Sequence, residues 1–314
     1  MSETVPTVPA LHLAAVGDEA GPDLDSQLAA VGRLGWDLIE LRSVDGQALA
    51  DLPPAGFARL VGRLAAAGLG TACVDSRIAN WARPVTGPLE LDVAELDVLA
   101  ERCAALGTRY VRVMSYPNDG LPEPDWGREA IRRLRRLARQ AERAGLVLLH
   151  ENCSGWAGRD ADRVLRLLAE VDSPALGLVF DTGNGVEYGY DAYELLAELL
   201  AAVPDRILHV QVKDAAGTAD RPDYCYPGEG RCRVAECLRL LLDSGYRGVL
   251  SVEPHMLVRP HVRNDHAELA GGPTGGVEVV VEYGRRLAAL VAGPQAGGGV
   301  GPVTRSGVGA GAAP

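Results

Sequence analysis

Short runs of aliphatic and β-branched residues recur along the chain: LHLAAV from Leu11, LIELRSV from Leu38, LGTACVDS from Leu69 and YVRVMSY from Tyr110, then LVLLHEN from Leu146, LGLVFDTGN from Leu176, ILHVQVKDA from Ile207 and GVLSVEPH from Gly248. Their starts lie 27 to 41 residues apart. Short apolar runs bounded by turn residues are the pattern of strands buried on both faces in a parallel sheet. Amphipathic stretches rich in Leu, Ala, Arg and Glu separate them, at Gly56–Ala67, Glu90–Leu106, Arg128–Ala144, Arg159–Glu170, Ala192–Ala202 and Val234–Ser244. Gly68, Gly107, Gly145 and Gly245 stand where such helices stop, and phrases such as RLGWD, AAAGLG and ERAGLV join helix end to strand start.

Eight strands alternating with helices predict an α/β fold of the (β/α)8 TIM-barrel type in one domain. The competing architecture is an open eight-stranded sheet, but the first strand–helix junction, AVGDEAGP, lacks the GxGxxG phosphate loop expected there. Residues 11–292 are assigned to the barrel, with a last helix from His266 to Val291. Residues 1–10 read as a flexible N-terminus, and 293–314, dominated by Gly, Ala and Pro, as a disordered tail unable to bury a core.

Lys and Arg total 31 against 42 Asp and Glu, a formal charge of −11. Such a surface repels nucleic-acid phosphates and anionic membranes, so neither is an expected partner. No run approaches the ~18 apolar residues of a membrane span. The six cysteines form no CxxC pair and the N-terminus is not signal-like, which points to a reduced, cytoplasmic protein. The run RRLRRLARQAER at 132–143 alternates with Leu and Ala at helical spacing and reads as a solvated outer helix face.

Polar residues concentrate where barrel strands end. The fifth run closes on His150-Glu151-Asn152, the sixth on Asp181-Thr182-Gly183-Asn184, and the eighth on Glu253-Pro254-His255; the seventh carries His209, Gln211, Lys213 and Asp214. A carboxylate after LVLL, LGLVF or VLSV is heavily desolvated unless a metal or a partner neutralises it. Residues i and i+2 of a strand share a face, which groups His209 with Gln211 and Lys213, and Ser251 with Glu253 and His255. With those faces in the barrel mouth, Glu151, Asp181, Gln211 and Glu253 converge. Three carboxylates and an amide oxygen are hard ligands suited to Mn²⁺ or Mg²⁺. The competing role for the carboxylates is structural ion pairing.

HEN at 150–152, DTGN at 181–184, HVQVKDA at 209–215, PGEG at 227–230 and SVEPH at 251–255 together resemble the xylose-isomerase-like TIM-barrel superfamily of sugar isomerases, ketose 3-epimerases, hydroxypyruvate isomerases, inosose dehydratases and endonuclease-IV-like proteins. The resemblance spans residues 11 to 290. It implies one divalent ion, Mn²⁺ with Mg²⁺ or Co²⁺ as alternatives, held by Glu151, Asp181 and Glu253. Many relatives carry a histidine where Gln211 stands; the hydroxypyruvate-isomerase branch is similar in having glutamine, and His209 is the alternative ligand. Relatives of this kind form homodimers or homotetramers.

The chemistry implied is metal-assisted isomerisation or epimerisation of a small polyhydroxylated or keto substrate, a sugar or cyclitol, through a cis-enediolate. Glu151 and Glu253 act as its acid–base pair. Dehydration of an inosose-like or dehydroshikimate-like ketone uses the same first step and is the alternative. An endonuclease-IV-like role needs a histidine-rich zinc site that six histidines, three of them at strand ends, do not supply. A noncatalytic sugar-binding or subunit-partner barrel is the remaining reading. Glu40 and Arg42 share a face and can grip substrate or form a floor ion pair. Lys213 can hold an oxyanion or a barrel carboxylate, His255 can touch substrate or cap structure, and Trp81 and Trp156 can wall the pocket or pack their loops. Cys153 reads as a buried small side chain rather than a nucleophile.

Overall fold

The computed structural model describes residues 11–257 and 274–293. Eight parallel strands close on themselves: β1 (His12–Val16), β2 (Leu38–Leu41), β3 (Gly70–Asp75), β4 (Tyr110–Ser115), β5 (Val147–Gly155), β6 (Leu176–Asp181), β7 (Ile207–Val212) and β8 (Val249–Val252). Each pairs with its neighbour in sequence, and β1 closes the ring on β8 through His12 opposite Val249 and Ala15 opposite Val252. The barrel expectation holds, and the open sheet is excluded by that closure.

Eight helices form the outer layer: α1 (Leu24–Leu34), α2 (Pro54–Ala67), α3 (Glu90–Leu106), α4 (Glu123–Ala144), α5 (Ala161–Val171), α6 (Ala192–Ala202), α7 (Val234–Asp243) and α8 (Thr274–Ala292). Gly35, Gly68, Gly107 and Gly145 end four of them in the left-handed conformation, which a side chain adopts only with strain. Gly245 takes the same conformation one residue past the α7 cap, Ser244. The expected start of the last helix at His266 falls outside the described residues, as do the expected N-terminal and C-terminal segments apart from Gly293.

The 132–143 run departs from a purely solvated face. Arg132, Arg136 and Arg139 are exposed, but Arg133 is buried. Its guanidinium bonds Glu129 and the Gly87 carbonyl and lies 5.2 Å from the Tyr116 ring centroid. The long stem lets an arginine on the buried stripe carry its charge to acceptors at the rim.

The apolar shell lies between strands and helices, while the barrel interior is layered. Cys73, Val147, Leu149 and Val179 form a small apolar floor. Above it the inward residues turn polar toward the C-terminal end. Among the described residues no helix is long and apolar enough to cross a membrane.

Candidate metal centre and active site

The ends of β5, β6 and β8 bring Glu151, Asp181 and Glu253 together, with one carboxylate oxygen of each within 4.8 Å of the others. All three are buried. Local sequence fixes each one. The Asn152 side chain cross-links β5 to β6, accepting from the Asp181 amide at 2.7 Å and donating to its carbonyl at 2.8 Å. Asp181 Oδ1 accepts from the amides of Gly183 (2.7 Å) and Asn184 (2.6 Å), so the DTGN turn aims the carboxylate. Asn184 in turn donates to Glu151 Oε1 at 2.8 Å. Gly183 is required by close approach: a Cβ there would lie 2.6 Å from Cβ and Cγ of Lys213.

Three cations serve the cluster. Arg112 Nε lies 3.2 Å from Glu151 and 3.5 Å from Asp75. Arg42 reaches Glu253 (2.6 Å), Glu19 (2.7 Å) and Asp18 (2.9 Å). Lys213 Nζ stands 2.9 Å from Glu253 Oε2, 3.3 Å from Asp181 Oδ2 and 3.1 Å from Asn184 Oδ1. Deeper in the barrel, Glu40 accepts from Gln211 at 2.9 Å and pairs with His209 at 2.8 Å. Gln211 also reaches Asp75 at 3.4 Å.

Among the described residues this continuous network sets seven carboxylates (Asp18, Glu19, Glu40, Asp75, Glu151, Asp181, Glu253) against the cations Arg42, Arg112 and Lys213. Buried negative charge in that excess must be relieved by protonation or by a cation. Burial accordingly pushes Asp181 and Glu19 up to about 7 and raises Glu151 despite Arg112. Burial also drives Asp75 well up, reinforced by the neighbouring Glu40. Glu253 is the opposite case. Burial opposes its ionisation, but Lys213, His255 and Arg42 outweigh it and hold the carboxyl well below its usual range. His255 is itself pushed down to about 3 by burial and Lys213, so at neutral pH it stands 3.3 Å from Glu253 as a neutral ring.

The donors fit a divalent ion. Gln211 Oε1 is buried and accepts no hydrogen bond among the described residues, while the buried Asp181 Oδ2 and Glu253 Oε2 face the Lys213 ammonium at 3.3 and 2.9 Å. They are hard oxygens, the donor type that Mn²⁺ and Mg²⁺ select. The orientation of Gln211 is determined by its neighbours, since the flipped amide would set its oxygen against two carboxylates. Gln211 is the register partner of Asp181 on the neighbouring strand β6. His209, the alternative ligand, is engaged with Glu40 and lies outside the Glu151–Asp181–Glu253 group.

The remaining sequence-selected residues divide. Glu40 lies in the barrel floor network and Arg42 in the mouth. Trp156 is buried, donates to Glu123 at 2.8 Å and packs its ring against Gly127; Trp81 is half-buried past β3. Cys153 is buried and its thiol donates to Tyr188 at 3.4 Å, with burial raising it well above the usual thiol range. Asp214 clamps the PGEG loop, accepting from the amides of Ala215, Gly228, Gly230 and Cys232. Arg112, Asp75, Asp18 and Glu19 are not singled out by the sequence, which names Asn184 only as part of the DTGN run. The clearest available signal was the single arginine inside the apolar run YVRVMSY.

A profile of the family described as xylose isomerase-like TIM barrel matches residues 28–269. Fructoselysine 3-epimerase of Escherichia coli O157:H7 is 30% identical over 135 residues, 42% of this chain and 46% of that protein. The 3-dehydroshikimate dehydratase of Pseudomonas putida is 32% identical over 130 residues, 38% of this chain and 19% of that protein. The chain therefore spans less than half the length of these curated relatives. A crystal structure of the IolI protein with a zinc atom superposes with a TM-score of 0.68 at 15% identity, over 91% of this chain and 100% of that one, a likeness of fold.

Proposed function

We propose that this chain, which belongs to the xylose isomerase-like TIM-barrel family, is a divalent-metal-dependent isomerase or epimerase of a small polyhydroxylated or keto compound, a sugar or cyclitol. The observation that carries the reading is the convergence of Glu151, Asp181 and Glu253 in the barrel mouth, two of them sharing a single ammonium. Glu151, Asp181, Glu253 and Gln211 would hold the ion, Mn²⁺ by donor hardness. When bound, it polarises a substrate carbonyl and its neighbouring hydroxyl.

The chain's own groups move the protons. Glu253 is held as a carboxylate by Lys213 and Arg42 and serves as base toward a carbon acid next to the carbonyl. Glu151, held by Arg112 and Asn184, is the second carboxyl of the pair and would return the proton to the cis-enediolate. Two carboxyls pushed apart by their surroundings are the arrangement that acid–base catalysis needs. Lys213, Arg42 and His255 lie at Glu253 and are placed to meet substrate oxygens as well as to fix the base. The six cysteines are unpaired, in keeping with a reducing cytoplasmic setting.

The match to a 3-dehydroshikimate dehydratase supports a second reading, in which the same carbanion expels hydroxide. Incubation with ketoses, inososes and keto acids in D₂O separates them. Solvent deuterium in recovered substrate or epimer supports the first reading, and a product lighter by water supports the second. Neither, with metal bound, contradicts both.

A further inference from the structure

Between the loops after β4 and β5 lies a cavity of about 250 Å³ lined by Pro117, Asn118, Trp126, Ser154, Gly155, Trp156, Arg159 and Arg163. Its walls are fixed. The Trp156 ring rests on Gly127, where a Cβ would come within 2.6 Å of it, and its indole N–H is spent on Glu123. Trp126 donates to the Tyr116 carbonyl at 2.9 Å, and Asn118 closes its amide on Leu121. Gly155 takes φ +104°, and its Cβ would strike Ser115 at 2.6 Å, so the floor is pinned to β4.

What remains for a ligand is a set of donors. Arg159 has no carboxylate partner among the described residues, and its guanidinium lies 4.7 Å from the Tyr188 ring centroid. Arg163 is shared between the Trp156 carbonyl at 3.4 Å and Glu123 at 3.6 Å. The Ser154 hydroxyl meets only the weak acceptor Met114 Sδ at 3.2 Å. Among the described residues Glu123 is the carboxylate that pairs with these side chains, and Asp160 is turned to the Arg163 amide at 3.0 Å, so the exposed Arg159 guanidinium keeps its donors for a ligand. Forked guanidinium donors favour carboxylate and phosphate.

We propose that this cavity is an oxyanion subsite that takes the phosphate or carboxylate of an anionic substrate. Ser154 follows Glu151 by three residues on β5, within the bulge where His150 and Gly155 pair with Val113 and Ser115. The substrate class is thus a ketone or ketose bearing a phosphate or carboxylate. That assignment rests on the triad being the reacting centre; oxyanion binding itself does not, and it is measured without turnover.

The full chain is titrated with inorganic phosphate and, separately, acetate against chloride at constant ionic strength, following the four indole N–H resonances by NMR. The expected result is a saturable shift confined to two resonances, those of Trp126 and Trp156, with affinity at least tenfold weaker in Arg159→Gln. Saturation by phosphate alone marks a phosphoryl ligand, and saturation by acetate alone a carboxylate. No saturable shift with either, or unchanged affinity in Arg159→Gln, overturns the proposal. Loss of deuterium exchange at the triad with oxyanion binding intact would leave the subsite standing and remove only the reaction assigned to it.

Discussion

Lys213 and Glu253 meet at 2.9 Å in the barrel mouth, ammonium against carboxylate, with neither side chain more than 5% exposed. The same ammonium lies 3.3 Å from Asp181, so one lysine serves two of the four proposed metal ligands. Removing it leaves buried carboxylates without compensation, which typically costs about 3–5 kcal/mol. Lys213→Met is therefore expected to lower metal-free stability by about that amount, and Mn²⁺ is expected to recover most of the loss. Denaturant titrations with and without Mn²⁺ check this; equal loss in both would show that no ion shares those oxygens.

His150 should add its own acid-sensitive contribution above the usual carboxylate range. Burial pushes His150 down to about 4, and neither ring nitrogen has a hydrogen-bond partner among the described residues. Unfolding frees it to titrate at its model value of 6.5. Its depressed folded pKa means that the unfolded state binds more protons between these values. Stability is then fully present above pH 6.5 and falls as pH drops toward 4, by about 3 kcal/mol from this residue. Asp181 and Glu19, raised to about 7, act in the opposite sense over this window, so the check is the difference between variant and wild type. His150→Leu should gain stability relative to the wild type between pH 7 and pH 5, and an unchanged difference would contradict it.

Gly183→Ala tests how tightly the DTGN turn is built. The new methyl would press on Lys213 Cβ and Cγ at 2.6 Å and on its carbonyl at 2.8 Å. Overpacking of this kind costs about 1–3 kcal/mol. It should also displace the turn whose amides orient Asp181, so metal affinity is expected to fall with stability. An alanine variant with wild-type melting and metal binding would refute the close approach.

Asp214→Asn should loosen one loop rather than the barrel. The carboxylate accepts four backbone amides, three of them from residues 228–232. Replacing an oxygen by an amide nitrogen turns an acceptor into a donor facing N–H groups, at about 1–3 kcal/mol per buried group left unmade. Hydrogen exchange should quicken at Gly228, Gly230 and Cys232 while β5 and β6 amides stay protected.

Much of this architecture was legible because the signals were strong and local. Each strand is a short apolar run, and α2, α3 and α4 end at glycines whose left-handed conformation the sequence anticipates. Strand parity also placed Glu151, Asp181 and Glu253 on inward faces. What parity could not give is which neighbour an inward side chain meets. Gln211 and His209 both turn to Glu40, a residue 169 to 171 positions away, because the closed barrel brings β2 and β7 to a common interior. Arg112 hid within an apolar strand, and Asp18 and Glu19 in the loop GDEAG that closes over Arg42. The hairpin Asp214–Cys225 was missed because its strands are short and half polar.

The central claim is that Glu151, Asp181 and Glu253 form one metal site that drives proton transfer. Calorimetric titration of the metal-free protein with Mn²⁺ tests it most directly. The account predicts a single ion per chain, with affinity reduced at least 100-fold in Asp181→Asn and in Glu253→Gln while both variants remain folded. Binding of several ions, absence of binding, or affinity unchanged in these variants would contradict it.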